Sequence, residues 1–420
     1  MTTHILLIGT ADTKADELLF MRQCIERDGG KAWVMDVGVL GTASFAVEIS
    51  NAEVAHAANT TLAAITALGD ENLAMTKMAE GAVQIALQLY TEGNIHGVLA
   101  LGGTMGTDLA LDVTAALPLG FPKFVVSTVA YSHLIPPERL APDLMMILWA
   151  GGLYGLNNIC KSILSQASGA ILGACRTVVP MGNAPMVAIT SLGKSALQYM
   201  VSLKPALEAR GYEVAVFHST GMGGRAMEVL ARQKRFAAVL DLCLQELGNQ
   251  AHGSVVTSGP DRLQAAGLHG VPQIVAPGGI DMLDLQAWKE LPGCYVDRPY
   301  HAHNRLIASV LMNPAERRVA AQLVASKLAL ARGPTAFIAP LGGVEQWDRA
   351  GEPLHDPEGL AAFFDELRQC IPTPVHYVEV DAHINDAPFV QAVLAVFDTW
   401  VAKGHIAPGV RSAPPLQEAA

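Results

Sequence analysis

Short apolar runs, each ending in a polar turn that carries glycine and each followed by a helical pattern, recur along this chain. That recurrence restricts it to an alternating α/β fold. The clearest instance is His96 to Thr107, H-G-V-L-A-L-G-G-T-M-G-T. Val98 to Leu101 has the length and composition of a buried parallel strand, and it runs into Gly102, Gly103, Thr104, Met105, Gly106 and Thr107. A helical pattern follows from Asp108 to Leu117. Strand, tight glycine turn and helix N-terminus together make an anion site, because unpaired N–H groups and the helix dipole converge there. Glycine lets the backbone approach a phosphate, and threonine hydroxyls add hydrogen bonds to its oxygens. A plain βα turn carries the same signature, so the loop gains weight only from its neighbours.

Those neighbours begin at the N-terminus. His4 to Gly9 reads as a strand that leads into Thr10-Ala11-Asp12-Thr13-Lys14 and an amphipathic helix through Glu26, and Lys31 to Val37 is a second strand holding Asp36. Ligands of open parallel sheets sit beyond the carboxyl ends of strands, so Thr10, Asp12, Thr13, Lys14 and Asp36 fall on the edge that carries the Gly102 loop. Lys14 suits a phosphate, and Asp12 or Asp36 suits a ribose hydroxyl or a magnesium-bound water. Asp12 is equally well placed as a helix N-cap. Ala52 to Leu68 and Leu73 to Tyr90 are long helical patterns. Lys123 to Val129, with Ser127 and Thr128, and Leu144 to Trp149 are further strands, and a helix from Tyr154 to about Ala174 completes a doubly wound domain over residues 1–180.

Val178 to Pro185 reads as the linker, residues 186–405 as a second α/β domain and 406–420 as a loose tail rich in Pro and Ala. Gly193-Lys194-Ser195 is not a phosphate loop of the Walker type, since Ala188 stands where that loop needs glycine. The strand Met186 to Thr190 is expected to feed a helix from Lys194 to Arg210. Glu213 to His218 feeds a second glycine turn, Ser219 to Gly224, with the logic of the first, and Tyr300 to Arg305 is expected to open a helix. His218, Asp261, Arg262, Asp281, His301, His303, Asn304, His383, Asn385 and Asp386 then stand at predicted strand ends or helix starts, where a parallel sheet gathers its ligand contacts. His301-x-His303 with His383 and a carboxylate would suit zinc or another transition metal, although helix capping uses the same residue types. Arg262 is a fork for a carboxylate or phosphate, or else the partner of Asp261 or Asp281 in a salt bridge.

At 420 residues the chain exceeds a single core, and 51% apolar against 16% charged residues supplies two large α/β interiors. A net charge of −11 without a basic cluster argues against nucleic acid and anionic membranes as partners, which leaves small-molecule ligands. Six cysteines with no C-x-x-C pair, no leader-like N-terminus and no apolar run of spanning length point to a cytoplasmic protein with reduced thiols.

Taken together, several motifs resemble one family. They are G-T-A-D-T-K (9–14), L-G-G-T-M-G-T (101–107), V-S-T-V-A (126–130), G-L-N-N-I (155–159), G-P-D-R-L (259–263), H-A-H-N (301–304) and D-A-H-I-N-D (381–386). The family is that of the N-terminal, ATP-binding domain of the tomato mosaic virus resistance protein, with many bacterial members. The resemblance implies two Rossmann-like domains, each a mostly parallel sheet flanked by helices, ATP binding by the first and a homodimer. It places the nucleotide on Thr10, Asp12, Lys14, Asp36, Gly102, Gly103, Thr104, Gly106, Thr107, Ser127 and Thr128. Two departures stand out: Leu192-Gly193-Lys194-Ser195 replaces a Phe-Gly and threonines, and Glu345 replaces a frequent serine.

The reading that follows is an ATP- and Mg²⁺-dependent protein acting on a small polar substrate held between its two domains. His218, His301 or His383 would supply acid–base chemistry, and Asp261, Arg262, Asp281, His303, Asn304, Asn385 and Asp386 would hold the substrate. The alternative is a nucleotide-dependent sensor without turnover. A nicotinamide oxidoreductase is disfavoured, because no G-x-G-x-x-G follows the first strand.

Overall fold

The computed structural model describes residues 2–179, 182 and 184–410. Residues 180, 181 and 183 of the expected linker, and 411–420 of the expected tail, lie outside the described residues. The chain divides into two compact units, Met1–Met181 and Gly182–Ala420.

The first unit runs β1 (Thr3–Gly9), α1 (Ala15–Arg27), β2 (Gly30–Asp36), α2 (Asn51–Ala57), α3 (Leu62–Thr66), α4 (Glu71–Thr91), β3 (Gly97–Gly102), α5 (Thr104–Ala116), β4 (Lys123–Ser127), β5 (Met145–Leu148) and α6 (Asn158–Arg176). Its parallel sheet has the order β2-β1-β3-β4-β5. Because strand side chains alternate, β1 sends Ile5 and Leu7 to one face and Leu6 and Ile8 to the other. Ile5 and Leu7 pack with Leu18 and Met21 of α1 and Leu164 of α6. Leu6 and Ile8 pack with Met78 of α4 and Leu109 of α5. Each of these buried aliphatic side chains contributes about 1.5–3 kcal/mol of transfer free energy. The neighbours β1 and β3 therefore feed helices on opposite faces of the sheet, and that reversal opens a crevice beyond their carboxyl ends.

Three boundaries differ from expectation. The Ala52–Leu68 pattern breaks into α2 and α3, because Asn59 turns left-handed (φ 56°) and the Thr61 side chain caps a fresh helix start. Helix α5 starts at Thr104 and not at Asp108, which makes Gly103 its N-cap. Helix α6 starts at Asn158, because the Asn157 side chain accepts from the N–H groups of Ile159 and Cys160.

The second unit runs β6 (Met186–Ser191), α7 (Met200–Glu208), β7 (Glu213–His218), α8 (Met222–Arg232), β8 (Ala238–Cys243), α9 (Gln245–Ala251), α10 (Ala265–Leu268), β9 (Gln273–Gly278), β10 (Met282–Gln286), β11 (Tyr300–Ala302), β12 (Ile307–Leu311), α11 (Pro314–Leu328), β13 (Thr335–Pro340), α12 (Pro357–Cys370), β14 (His376–Val380) and α13 (Ala387–Ala402). Its six-stranded parallel sheet has the order β14-β13-β9-β8-β6-β7. Helices α7 and α13 pack on one face, and α11 and α12 on the other. The mostly parallel α/β architecture expected for both halves is present, with one addition: β10, β12 and β11 form an antiparallel ribbon. Tyr300–Ala302 is thus a strand of that ribbon and opens no helix; each of its residues pairs across to β12. The helix expected from Lys194 is confined to Met200–Glu208.

The expected tail is anchored where it is described: Ile406 is fully buried, Tyr212 Oη donates to the Ala407 carbonyl (2.8 Å), and Val410 N–H donates to that of Gly211 (2.9 Å). No helix among the described residues is long and apolar enough to cross a membrane.

One guanidinium ties the carboxyl edge of the second sheet together. Arg262 is fully buried and donates to Asp241 of β8, Glu246 of α9 (2.7 Å), Glu228 of α8 (3.2 Å) and the Cys243 carbonyl (3.1 Å). Every direction of its fork is therefore spent inside the protein, so the ligand role considered for Arg262 is closed to it. Its partners are neither Asp261 nor Asp281. Arg262→Met should lower unfolding stability by about 3–5 kcal/mol, because it strands buried carboxylates. A denaturant midpoint within error of the parent would contradict that.

Candidate functional site

In the first unit, loops from β1, β2 and β3 meet at the crevice. Asp36, at the end of β2, is buried, and its Oδ1 accepts from the N–H groups of Ala11 (2.9 Å) and Gly38 (2.8 Å). Burial pushes its pKa up against those two bonds. Asp36 thus shapes the loop and does not face a ribose. Thr107 and Ser127 are likewise buried, with their hydroxyls 2.8 Å apart, joining α5 to the end of β4. Thr128 N–H donates to the Gly102 carbonyl (3.3 Å). Asp36, Thr107 and Ser127 hold the frame through their side chains and Thr128 through its backbone, and the contact surface is made by others.

That surface is a cleft of ≈ 400 Å³ lined by Thr10, Asp12, Thr13, Lys14 and the turn from Gly102 to Gly106, with Val39, Leu40 and Met75 as apolar walls. Two helices start at it, α1 with Lys14 at the N-cap and α5 with Gly103, and neither N-cap residue bonds its first turn through a side chain. Each start carries roughly half a positive charge and N–H groups that want an acceptor. Gly102 allows the tight approach of strand to helix, since a Cβ there would lie 2.4 Å from the Gly106 carbonyl carbon. Asp12 Oδ2 accepts from Leu40 N–H (3.0 Å), while its Oδ1 is buried with no hydrogen-bond partner. A second cavity of ≈ 540 Å³ shares Glu71, Met75, Thr104 and Met105 with the cleft and continues past Asp108 to Arg139.

The second glycine turn looks the same in sequence and behaves oppositely. Glu246 Oε1 accepts from the N–H groups of Gly221 (2.6 Å) and Gly224 (3.2 Å) at the start of α8. A Cβ on Gly224 would lie 1.9 Å from Glu246 Oε2. The protein has supplied its own anion there, so this turn offers nothing to a phosphate.

Near it, beyond the strand ends, a small pocket of ≈ 40 Å³ is lined by His218, Gln245, Asp284, His303, Ser309 and Trp347, among others. That is room for about one water molecule. Asp284 is buried and accepts from Ser309 Oγ (2.6 Å), Gln245 Nε2 (2.8 Å) and Asn249 Nδ2 (3.1 Å); burial pushes its pKa up. His301 stacks on Trp347 with ring centroids 3.9 Å apart. Burial, and secondarily the neighbouring His303, lowers the pKa of both His218 and His301, so both imidazoles are neutral at neutral pH.

The remaining candidates are dispersed. Asp261 is held by Arg225 and Arg232 (both 2.6 Å). Asn304 Oδ1 accepts from Leu306 and Ile307 N–H groups in the ribbon turn. Asn385 accepts from Gln198 N–H (2.5 Å), and Asp386 pairs with Arg349 (2.8 Å). His383 is buried: its Nδ1 accepts from Asn385 N–H (3.0 Å), so Nε2 bears the proton and faces the Glu345 carbonyl (2.7 Å) and Asp348 Oδ1 (2.9 Å). Both ring nitrogens being committed, His383 joins neither a metal set with His301 and His303 nor a proton-transfer role. Asp281 instead meets Glu345 and Asp348 in a buried cluster whose ligating atoms all lie within 4.8 Å of one another. Gln245, Asp284, Ser309 and Trp347 escaped the sequence reading. The signal for Asp284 was a lone carboxylate inside the apolar run M-L-D-L, and that for Glu345 its departure from a frequent serine.

Comparisons with known proteins cover the whole of this arrangement. Residues 3–180 match the N-terminal domain and residues 184–401 the C-terminal domain of the uncharacterised protein family UPF0261. A UPF0261 protein of Brucella melitensis is 57% identical over 97% of this chain and 99% of its own length. One of Clostridium tetani is 34% identical over 94% of this chain and 98% of its own. The ToMV resistance protein Tm-1 of Solanum lycopersicum is 29% identical over 94% of this chain and 55% of that protein.

The buried carboxylates set a pH dependence. Burial, reinforced by Asp281 and Asp348, pushes Glu345 up to about 9, and burial pushes Asp281 up to about 6. Folded Glu345 therefore keeps a proton that the unfolded chain releases above the ordinary carboxylate range. Stability then falls as pH rises from about 5 towards 9, by at most about 1.4 kcal/mol per pH unit for one proton. Glu345→Gln, neutral at every pH, should flatten this limb in urea unfolding at pH 5.5, 7 and 8.5 with EDTA present. An unchanged slope would sink the assignment.

Proposed function

We infer that this chain, which belongs to the uncharacterised protein family UPF0261, is an ATP-dependent protein: it binds ATP with Mg²⁺ in the crevice between β1 and β3 of its first unit, and its second unit takes a small polar substrate. One contrast carries the reading. Of two glycine turns alike in sequence, the second is filled by Glu246, whereas the first presents two helix starts without side-chain caps beside Lys14. Thr10, Thr13, Lys14 and the Gly102 to Gly106 turn would hold phosphates, and the apolar wall of Val39, Leu40 and Met75 suits a base. Asp12 fits Mg²⁺ or one of its waters, having a carboxylate oxygen to spare at the cleft. When bound, ATP supplies the transferable phosphoryl group. In the second unit His218 or His303 would take a substrate proton, with Asp284 and Ser309 orienting it. We expect a cytoplasmic protein, from its cysteine usage and apolar pattern, and a homodimer, as the family resemblance implies.

A pocket of only ≈ 40 Å³ favours a second reading, a sensor that binds nucleotide without turnover. Hydrolysis of ATP lost in His218→Ala or His303→Ala supports the enzyme, and binding without turnover supports the sensor.

Gly103→Asp isolates the site itself. A Cβ on Gly103 would meet only Thr128 Oγ1, at an ordinary 3.9 Å, and the backbone there is extended, so an aspartate should cap α5 and place a negative charge where a phosphate would sit. In calorimetric titration the parent should bind ATP at micromolar concentration, and this variant should bind it about 100-fold or more weakly while melting no lower. Lys14→Ala should weaken it about tenfold, the loss of one charge-assisted contact. A parent that binds no nucleotide, with or without Mg²⁺, ends this reading.

A further inference from the structure

The second unit contains an acidic cluster that none of its roles so far explains. Asp281, at the end of the β9 turn, and Glu345 and Asp348, in the loop after β13, are all buried. Their ligating oxygens converge within 4.8 Å. Both carboxylate oxygens of Asp281 and Oε1 of Glu345 are buried with no hydrogen-bond partner. Orphaned oxygens on buried side chains are costly, and three of them within one cluster call for a positive or donating occupant.

The protein's own cation serves only in part. Arg317 Nη1 forms an ion pair with Asp281 Oδ2 at 3.6 Å, longer than a hydrogen bond, and so leaves the donor positions of the cluster unfilled. Its Nε donates to the Met312 carbonyl (3.0 Å) and its Nη2 to Asp356 (3.0 Å), which holds the guanidinium at that distance from Asp281. The remaining oxygens are positioned as ligands of a metal site are. Glu345 Oε2 accepts from Trp347 N–H (2.6 Å), and Asp348 accepts from Val344 N–H (2.5 Å) and from His383 Nε2 (2.9 Å). Gly343 keeps the space clear, since a Cβ there would lie 2.5 Å from Asp348 Oδ1 and from the His383 ring.

We propose that Asp281, Glu345 and Asp348 bind one divalent cation in the second unit, independently of nucleotide in the first. The donors are carboxylate oxygens, and both nitrogens of His383 are engaged, so the site selects a hard ion of the Mg²⁺, Mn²⁺ or Ca²⁺ class over zinc. Asp348 is oriented by His383, in the way outer partners fix metal ligands. Glu345 and Asp348 flank Trp347, and Met282 follows Asp281; Trp347 and Met282 both line the small pocket. An ion here would therefore set the position of two of that pocket's walls.

The test is a Mn²⁺ titration of the chelator-stripped, nucleotide-free full chain, followed by electron paramagnetic resonance. One Mn²⁺ per chain should bind, without ¹⁴N coupling and displaceable by Ca²⁺ or Mg²⁺. The near-isosteric Asp281→Asn and Glu345→Gln should each weaken it by about 30-fold or more, while Asp12→Asn leaves it unchanged. No binding by the parent at millimolar Mn²⁺ overturns the proposal. So does ¹⁴N coupling in the parent, a readout that needs no variant to fold. Binding that survives both second-unit variants and disappears in Asp12→Asn overturns it as well, and would assign the ion to the first unit without touching the nucleotide reading.

Discussion

How the first N–H groups of a helix find acceptors decides the character of each sheet edge in this chain. A parallel α/β sheet points its helix starts at the edge where ligands gather, so each start is either closed by the protein or left for something else. The second unit closes the start of α8 with Glu246. The first unit gives no side-chain cap to α1 or α5. The same local sequence, a strand followed by Gly-rich turn and helix, thus yields a structural joint in one unit and a receptive cleft in the other.

The closed joint has a requirement of its own. A buried glutamate is tolerable only with a counter-charge, and Arg262 supplies it while also reaching Asp241 and Glu228. The charge network and the choice of anion site are therefore one arrangement. Burial pushes Glu246 and Glu228 up and Arg262 draws them down, which is the balance expected of carboxylates that share a single guanidinium.

The alternation of apolar runs with helical patterns was enough to read both sheets, because a buried parallel strand has little choice of composition. The residues of the first crevice were legible too, since strand ends and glycine turns mark the carboxyl edge. What sequence hid was partnership at long range. Nothing local to Arg262 announces Asp241 or Glu246, and nothing in Ser219 to Gly224 reveals a glutamate from the next strand-helix joint lying across it. Asp36, Thr107 and Ser127 sit in the right neighbourhood but face inward, a distinction that only burial makes. The ribbon was missed because Tyr300–Ala302 is short, and its pairing with β12 depends on a turn that brings distant residues together.

The ribbon also works as a ruler. Its antiparallel register sets Asp284 opposite Ser309 and Ser309 opposite His301, a single row across three strands, and the period-two alternation puts Met282, Ile307 and His303 on that same side. Leu283, Leu285, Ala308 and Val310 fill the other side. A slip of one residue between strands would exchange the two sides entirely. The connection between β11 and β12, residues 303–306, thus sets the row by its length as well as through the Asn304 side chain that accepts from Leu306 and Ile307 N–H. A slip of β11 by one residue on β12 would turn a polar pocket wall into an apolar one.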